Sequence, residues 1–198
     1  MIIKVDVDGV LRNLVQGICS VYNDVFFENV SPGDITDYDI DLSFPLVEKV
    51  LKKKPRHFFF NERAEDVFRY RSTALDNVKE ALELLLEAGH QVVICSWQFS
   101  HTNRIATLEW LNDWDIPFSD ICFTKDKWLI NGDYIIDDNP EFLSDSREKA
   151  NKLLVSQPYN MKFSAPDVIR CDNLIDAVSK ILGKELHICR KEIKHGGC

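Results

Sequence analysis

Hydrophobic and polar positions along this chain fall into two alternating rhythms. Five short apolar runs, "IIKV" (2–5), "QVVIC" (91–95), "DICF" (120–123), "DYIID" (133–137) and "KLLV" (152–155), read as strands. Between them lie stretches with helical spacing. The clearest is "ALDNVKEALELLLEAG" (74–89), with Val78, Leu82, Leu85 and Leu86 on one face and Gly89 as its stop. "TNRIATLEWLNDW" (102–114), "PEFLSDSREKA" (140–150) and "NLIDAVSKIL" (173–182) follow the same pattern. Such alternation predicts an α/β fold with a doubly wound parallel sheet and helices on both faces.

One interval breaks the rhythm. Asp8 is more than 80 residues from the second strand, whereas a strand–helix–strand unit takes on the order of 30. The excess predicts a small helical insertion after the first strand. It holds a helix-like piece with Leu14, Ile18, Val21, Tyr22 and Val25, an acidic loop "SPGDITDYDIDL" (31–42), a second helix near 45–54, and "HFFFNERAEDVFRY" (57–70). Three consecutive phenylalanines, Phe58 to Phe60, are too apolar for a water-facing loop. They form the insertion's own core or face a cleft, and at least two are read as core. The aspartates at 34, 37, 39 and 41 lack the Gly and closing Glu of an EF-hand loop, so a solvated face is expected there. The division expected is a core of residues 1–13 and 73–185, a helical cap of 14–72 and a tail of 186–198.

Charge and cysteine usage narrow the partners. A net charge of −8 argues against a nucleic-acid polymer, which is bound through extended basic surfaces. No apolar stretch approaches the roughly 20 residues of a membrane helix, and the strand-like run from Ile2 argues against a signal peptide. A cytoplasmic protein without a membrane partner is expected. Six cysteines, at 19, 95, 122, 171, 189 and 198, show no CxxC spacing, and no disulfide framework is expected. The tail "HICRKEIKHGGC" could bind a metal through its His and Cys residues, but it reads more simply as a frayed basic terminus.

In an open parallel sheet, ligands collect beyond the carboxyl ends of the strands. Strand one ends in Asp6 and Asp8, strand two in Ser96, "TKDK" with Lys125 and Lys127 follows strand three, and strand four ends in Asp137 and Asp138. Two carboxylate pairs, a hydroxyl and a lysine therefore meet at one edge. Clustered carboxylates repel each other unless a cation or a proton intervenes. Mg²⁺ takes oxygen ligands and keeps open positions, while Ser96 and Lys127 offer a donor and a charge to phosphoryl oxygens.

With "DVDGV", "ICSW", "TKDK" and "IIDDN" in these places, the chain resembles the phosphatases of the haloacid dehalogenase (HAD) superfamily, over nearly its whole length. More narrowly, "DVDGVL", the triple phenylalanine, "ALDNVKEALELL", "VVICS" and "FTKDKWLINGDYIIDDNP" resemble the 5'(3')-deoxyribonucleotidases. Where that family tends to carry a Thr-Ser pair, this chain has Ser96-Trp97. The resemblance implies a Mg²⁺-dependent phosphomonoesterase acting on nucleoside monophosphates. It implies Asp6 as nucleophile, forming an aspartyl-phosphate, and Asp8 as the acid that protonates the leaving oxygen and then activates water. It further implies a Mg²⁺ site of Asp6, the backbone carbonyl of Asp8 and Asp138, with Asp137 in support. Ser96 and Lys127 would bind the phosphoryl group, with Lys125 as competitor for the lysine role. Leu14, Phe59 and Trp97 are expected near the nucleobase. A phosphatase for another small phosphoester, such as a sugar phosphate, stays open as an alternative, as does a non-catalytic phosphate-binding homologue. The sequence leaves the oligomeric state open, a homodimer included.

Overall fold

The computed structural model describes residues 1–184, so the tail expected at 186–198, with its His and Cys residues, lies outside the described residues. Six strands form one parallel sheet: β1 (Ile2–Val5), β2 (Gln91–Ser96), β3 (Asp120–Phe123), β4 (Tyr134–Asp137), β5 (Asn151–Val155) and β6 (Val168–Cys171). Their spatial order is β3-β2-β1-β4-β5-β6. β1 thus lies between β2 and β4, with Val5 beside Ile94 and Ile136. The strand order reverses at this point, so the ends of β1 and β4 open a crevice.

Five of these strands answer the apolar runs; β6 does not. Its sequence VIRC carries Arg170 in the middle, and Ile169 is half exposed. An edge strand buries too little to show an apolar run. Four longer helices flank the insertion and sheet: α1 (Leu14–Phe26), α5 (Val78–Glu87), α6 (His101–Asp113) and α8 (Leu174–Leu182). Asn13, Ser100 and Asn173 cap α1, α6 and α8 by accepting a bond from a backbone N–H of the first turn. The helix expected over 140–150 ends early, at Leu143 (α7, Pro140–Leu143). Asp145 captures the backbone N–H of Arg147 (2.9 Å), and Glu148 turns inward to meet Lys4. Local side-chain acceptors here outcompete the helical ladder.

The insertion leaves after β1 and folds as α1, three short helices α2 (Ile40–Ser43), α3 (Pro45–Leu51) and α4 (Pro55–His57), and two π-helical turns, Phe58–Glu62 and Asp66–Tyr70. Its exit and return are stitched together: Asn13 N donates to Thr73 O (2.9 Å) and Leu75 N to Leu11 O (2.8 Å). Besides a small cluster of Ile135, Leu143, Ala150 and Leu154, the described residues form two larger apolar cores. One lies along the sheet, around Ile3, Val5, Leu82, Ile94, Trp110 and Leu153. The other lies inside the insertion, around Ile18, Tyr22, Phe44, Val47, Phe59 and Phe68. Among the described residues the aspartates of the acidic loop do not gather into a group that could hold a metal ion. Asp34, Asp37 and Asp39 accept bonds from nearby backbone N–H groups or Ser31, and Asp41 accepts from Arg56 N.

Candidate active site

After β1 the chain makes a tight turn in which Val7 O accepts from Leu11 N (2.9 Å) and Arg12 N (2.8 Å). Gly9 makes the turn possible on two counts. Its φ is +74°, and a Cβ built there would stand 2.4 Å from Asp138 Oδ2. Gly9→Ala should therefore strain the backbone and push the Asp138 carboxylate aside together. Activity should fall at least about tenfold, with a melting temperature lowered by several degrees, given a left-handed penalty of about 1–2 kcal/mol. Calorimetry beside phosphate release checks both, and an unchanged variant would show that the turn tolerates a side chain.

This turn aims Asp6 at the end of β4. Asp6, Asp137 and Asp138 are buried, and each offers a carboxylate oxygen within 4.8 Å of the others. Lys127, from a 3-10 turn (Lys127–Leu129) after β3, reaches underneath them. Its Nζ lies 2.6 Å from Asp137 Oδ2 and 2.9 Å from Asp6 Oδ1. Burial works against the ammonium, but Asp137 and Asp6 overcome it and hold the lysine well above its usual range. Burial also pushes the Asp137 carboxyl up to about 6, Lys127 opposing and Asp6 adding to the rise. Burial, then the charges of Asp137 and Asp6, raise Asp138 well above the carboxylate range. Tyr159 donates to Asp138 Oδ2 at 2.5 Å, and Asn139 N to Asp137 Oδ1 at 2.9 Å.

Three carboxylates face one ammonium here, which leaves the cluster about two negative charges in excess when all are ionised. An all-oxygen set with that excess fits a divalent hard cation such as Mg²⁺. Asp6 and Asp138 would hold it, with Asp137, whose oxygens accept from Lys127 Nζ and Asn139 N, in support. The carboxylate of Asp8 stands apart from this set, because its oxygens are engaged elsewhere. Its Oδ1 accepts from Arg12 Nε (2.8 Å) and its Oδ2 from Gln98 Nε2 (2.7 Å). Burial raises its pKa, while Arg12 works to lower it.

Through Asp6 and Asp138 the cluster borders a cavity of about 410 Å³ between sheet edge and insertion, with Asp137 and Lys127 buried behind it. Asp6, Asp8, Ser96 and Asp138 are on its wall. Ser96, at the end of β2, is buried, with Gln98 Nε2 at 3.3 Å from its Oγ. Lys125 lies outside this cluster; its Nζ stands 5.1 Å over the Trp97 ring. Leu14 and Trp97 line the cavity.

Phe59 does not. It is fully buried inside the insertion, edge-on to Phe44 (5.2 Å) and Phe58 (5.1 Å). The cavity wall takes Phe60 instead, which packs on Phe68 and Phe99. The reason is geometric. Consecutive residues of a helical turn point roughly 100° apart, or somewhat less in a π turn, so three in a row cannot share one direction. Two enter the core and the third emerges.

Several residues at the site escaped the sequence reading. Phe99 and Phe142 complete the aromatic wall, and Arg56 and Tyr38 reach it from the insertion. Tyr38 Oη accepts from Asn139 Nδ2 (2.8 Å), joining the acidic loop to the residue after Asp138. Lys4 is fully buried below the site, pairs with Glu148 at 2.5 Å, and donates to the carbonyls of Lys127 (3.2 Å) and Ile130 (3.0 Å). It fixes the turn that presents Lys127. A signal existed for Lys4, a charge flanked by Ile3 and Val5 in a run that reads as buried. Tyr38 and Arg56 gave none.

Comparison with known proteins agrees with this geometry. A curated relative, the 5'(3')-deoxyribonucleotidase of Clostridium acetobutylicum, is 25% identical over 163 residues, covering 79% of this chain and 82% of that protein. Among solved structures, a HAD-superfamily hydrolase of subfamily IA from Geobacter sulfurreducens PCA superposes with a TM-score of 0.56 at 12% identity, covering 91% of this chain and 95% of the other. The protein tyrosine kinase A of Mycobacterium tuberculosis gives 0.59 at 16%, over 92% and 97%. The D,D-heptose 1,7-bisphosphate phosphatase of Burkholderia thailandensis gives 0.51 at 14%, over 92% and 99%. At such identities these structures speak for the HAD-like fold alone. The family model for 5' nucleotidase, deoxy (pyrimidine), cytosolic type C protein matches residues 1–186. With the DxD turn, the buried lysine and the acidic pair in place, the chain belongs to this 5'-nucleotidase family, whose members are phosphoric monoester hydrolases.

Proposed function

We propose that the protein is a Mg²⁺-dependent 5'(3')-deoxyribonucleotidase of the cytoplasm, removing phosphate from deoxynucleoside monophosphates through an aspartyl-phosphate on Asp6. The observation that carries this is a cluster in which Asp6 and Asp138 line a cavity with an aromatic wall while Asp137 and Lys127, buried behind them, complete the charge arrangement. Mg²⁺ on Asp6 and Asp138, with Asp137 in support, would neutralise charge on the phosphoryl oxygens.

This chain's own residues do the rest. Ser96 donates to a phosphoryl oxygen and Lys127 balances its charge. Asp6 attacks phosphorus; the ester P–O bond breaks and its electron pair leaves on the alkoxide, which takes a proton from Asp8. Asp8, now a carboxylate, draws a proton from water, and the hydroxide attacks phosphorus. The acyl-phosphate P–O bond breaks, inorganic phosphate leaves, and Asp6 is restored. Residues 14–72 act as a cap that excludes bulk water from these steps. Phe60, Trp97 and Leu14 offer flat or apolar surface to a nucleobase. A sugar phosphate would leave that wall without a partner.

Hydrolysis of a panel of phosphomonoesters, with Mg²⁺ and with excess chelator, tests the reading. Phosphate release should depend on Mg²⁺ and favour deoxynucleoside monophosphates over sugar phosphates by about tenfold or more in kcat/KM. Full activity in chelator would overturn the metal assignment. A preference for sugar phosphates would overturn the nucleotide assignment.

A further inference from the structure

Arg12 is fully buried, yet no step above uses it. A buried guanidinium is costly unless its donors are satisfied, and an apolar side chain of similar volume is the simpler filler. Here the donor fork is occupied on every side. Nε (2.8 Å) and Nη2 (2.7 Å) reach Asp8 Oδ1, Nη1 donates to Phe68 O at 2.6 Å, and Nη2 donates to Thr107 Oγ1 at 3.1 Å. The guanidinium also packs against two rings, its central carbon 5.0 Å from the centroid of Phe68 and 5.3 Å from that of Trp110. The four partners belong to three parts of the molecule. Asp8 is on the catalytic turn, Phe68 is on the insertion's last π-helical turn, and Thr107 and Trp110 are on α6.

The backbone of Arg12 occupies a junction as well. Its carbonyl accepts from Gly9 N (2.9 Å) and Leu14 N (3.0 Å), and it bridges to Ala74, where the chain has returned from the insertion. Asp8 itself keeps about a fifth of its side chain exposed and lines the cavity. Arg12 holds one of its oxygens and Gln98 the other.

We propose that Arg12 is a positioning residue, whose guanidinium fixes the orientation of the Asp8 carboxylate and ties it to the segment by which the insertion returns to the core. This rests on the acid–base role proposed for Asp8. A carboxylate that must meet the leaving oxygen and then water needs one orientation held through both half-reactions. Arg12 supplies it from behind the cavity wall, where neither it nor Thr107 nor Trp110 is part of the lining. Since a guanidinium is planar and forked, lysine cannot replace it: one ammonium cannot serve Asp8, the Phe68 carbonyl and Thr107 with the same geometry.

The test compares Arg12→Lys, Arg12→Met and Asp8→Asn on two substrates, a deoxynucleoside monophosphate and 4-nitrophenyl phosphate. The alkoxide of the first needs a proton as it leaves; the nitrophenolate of the second does not. Asp8→Asn should lower kcat on the nucleotide at least about tenfold more than on the aryl ester. Both Arg12 variants should show the same leaving-group split, with KM for the nucleotide within about threefold of wild type. A structural role alone would lower both substrates alike or raise KM. If Arg12→Met does not fold at the assay temperature, Arg12→Lys, which keeps charge and most of the volume, carries the comparison. A split in Asp8→Asn without one in Arg12→Lys overturns the inference and leaves the acid–base reading standing. A split absent from Asp8→Asn overturns that reading and the inference with it.

Discussion

Asp6→Asn should abolish turnover on every phosphomonoester, by roughly three orders of magnitude or more, while the protein stays folded. The amide cannot attack phosphorus, and no neighbouring group can take its place. Asp137 is committed to Lys127 Nζ and Asn139 N, Asp138 accepts from Tyr159, and Asp8 is turned toward Arg12 and Gln98. Stability should change little, because two effects oppose each other. Removing one of three crowded carboxylates relieves repulsion, while Lys127 loses one of its two partners and keeps the nearer, Asp137 at 2.6 Å. Acid quenching with labelled substrate should trap phosphate on wild-type protein and none on the variant. Near-native turnover by Asp6→Asn would remove Asp6 from the nucleophile's role.

The sheet and its active edge were legible because both follow short-range rules. Short continuous apolar runs give the buried strands of a parallel sheet, and a charge after such a run lies at the strand's end. So the placing of Asp6, Ser96, Asp137 and Asp138 at one edge needed only parallel topology, which strand–helix alternation supplies. The insertion was legible as an excess of length. What the chain concealed depends on partners far away in sequence. Lys4 and Glu148 are 144 residues apart, Arg12 and Thr107 are 95 apart, and Tyr38 and Asn139 are 101 apart. Nothing local marks an arginine that will be buried between two aromatic rings. β6 was missed because an edge strand buries too little to need an apolar run, and the helix at 140 was read too long because its spacing does not show that Asp145 captures the N–H of Arg147 or that Glu148 turns inward to Lys4. Among the phenylalanines, composition located the core but not which ring leaves it, since that is fixed by the phase of a single π-helical turn.

That phase can be measured, because it gives neighbouring residues opposite phenotypes. Phe59→Ala should destabilise the fold by about 3–5 kcal/mol, since its ring is enclosed by Phe44 and Phe58 and the void has little room to collapse. A drop in melting temperature on the order of 10 °C follows for a chain of this size. Activity below the transition should fall alike on all substrates, because Phe59 is not on the cavity wall. Phe60→Ala reverses the pattern. Its ring is half-buried at the cavity, between Phe68 at 5.2 Å and Phe99 at 6.1 Å, so the loss of stability should be smaller. A stacking contact with a base is worth about 1–3 kcal/mol, so KM for deoxynucleoside monophosphates should rise about tenfold or more while a small aryl phosphate changes less. Melting curves run beside kinetics on both substrates separate the two residues. A Phe59→Ala protein with normal stability and altered selectivity would put Phe59 back against the base. If Phe60→Ala leaves both Michaelis constants unchanged, Phe60 does not stack on the base and that role is overturned.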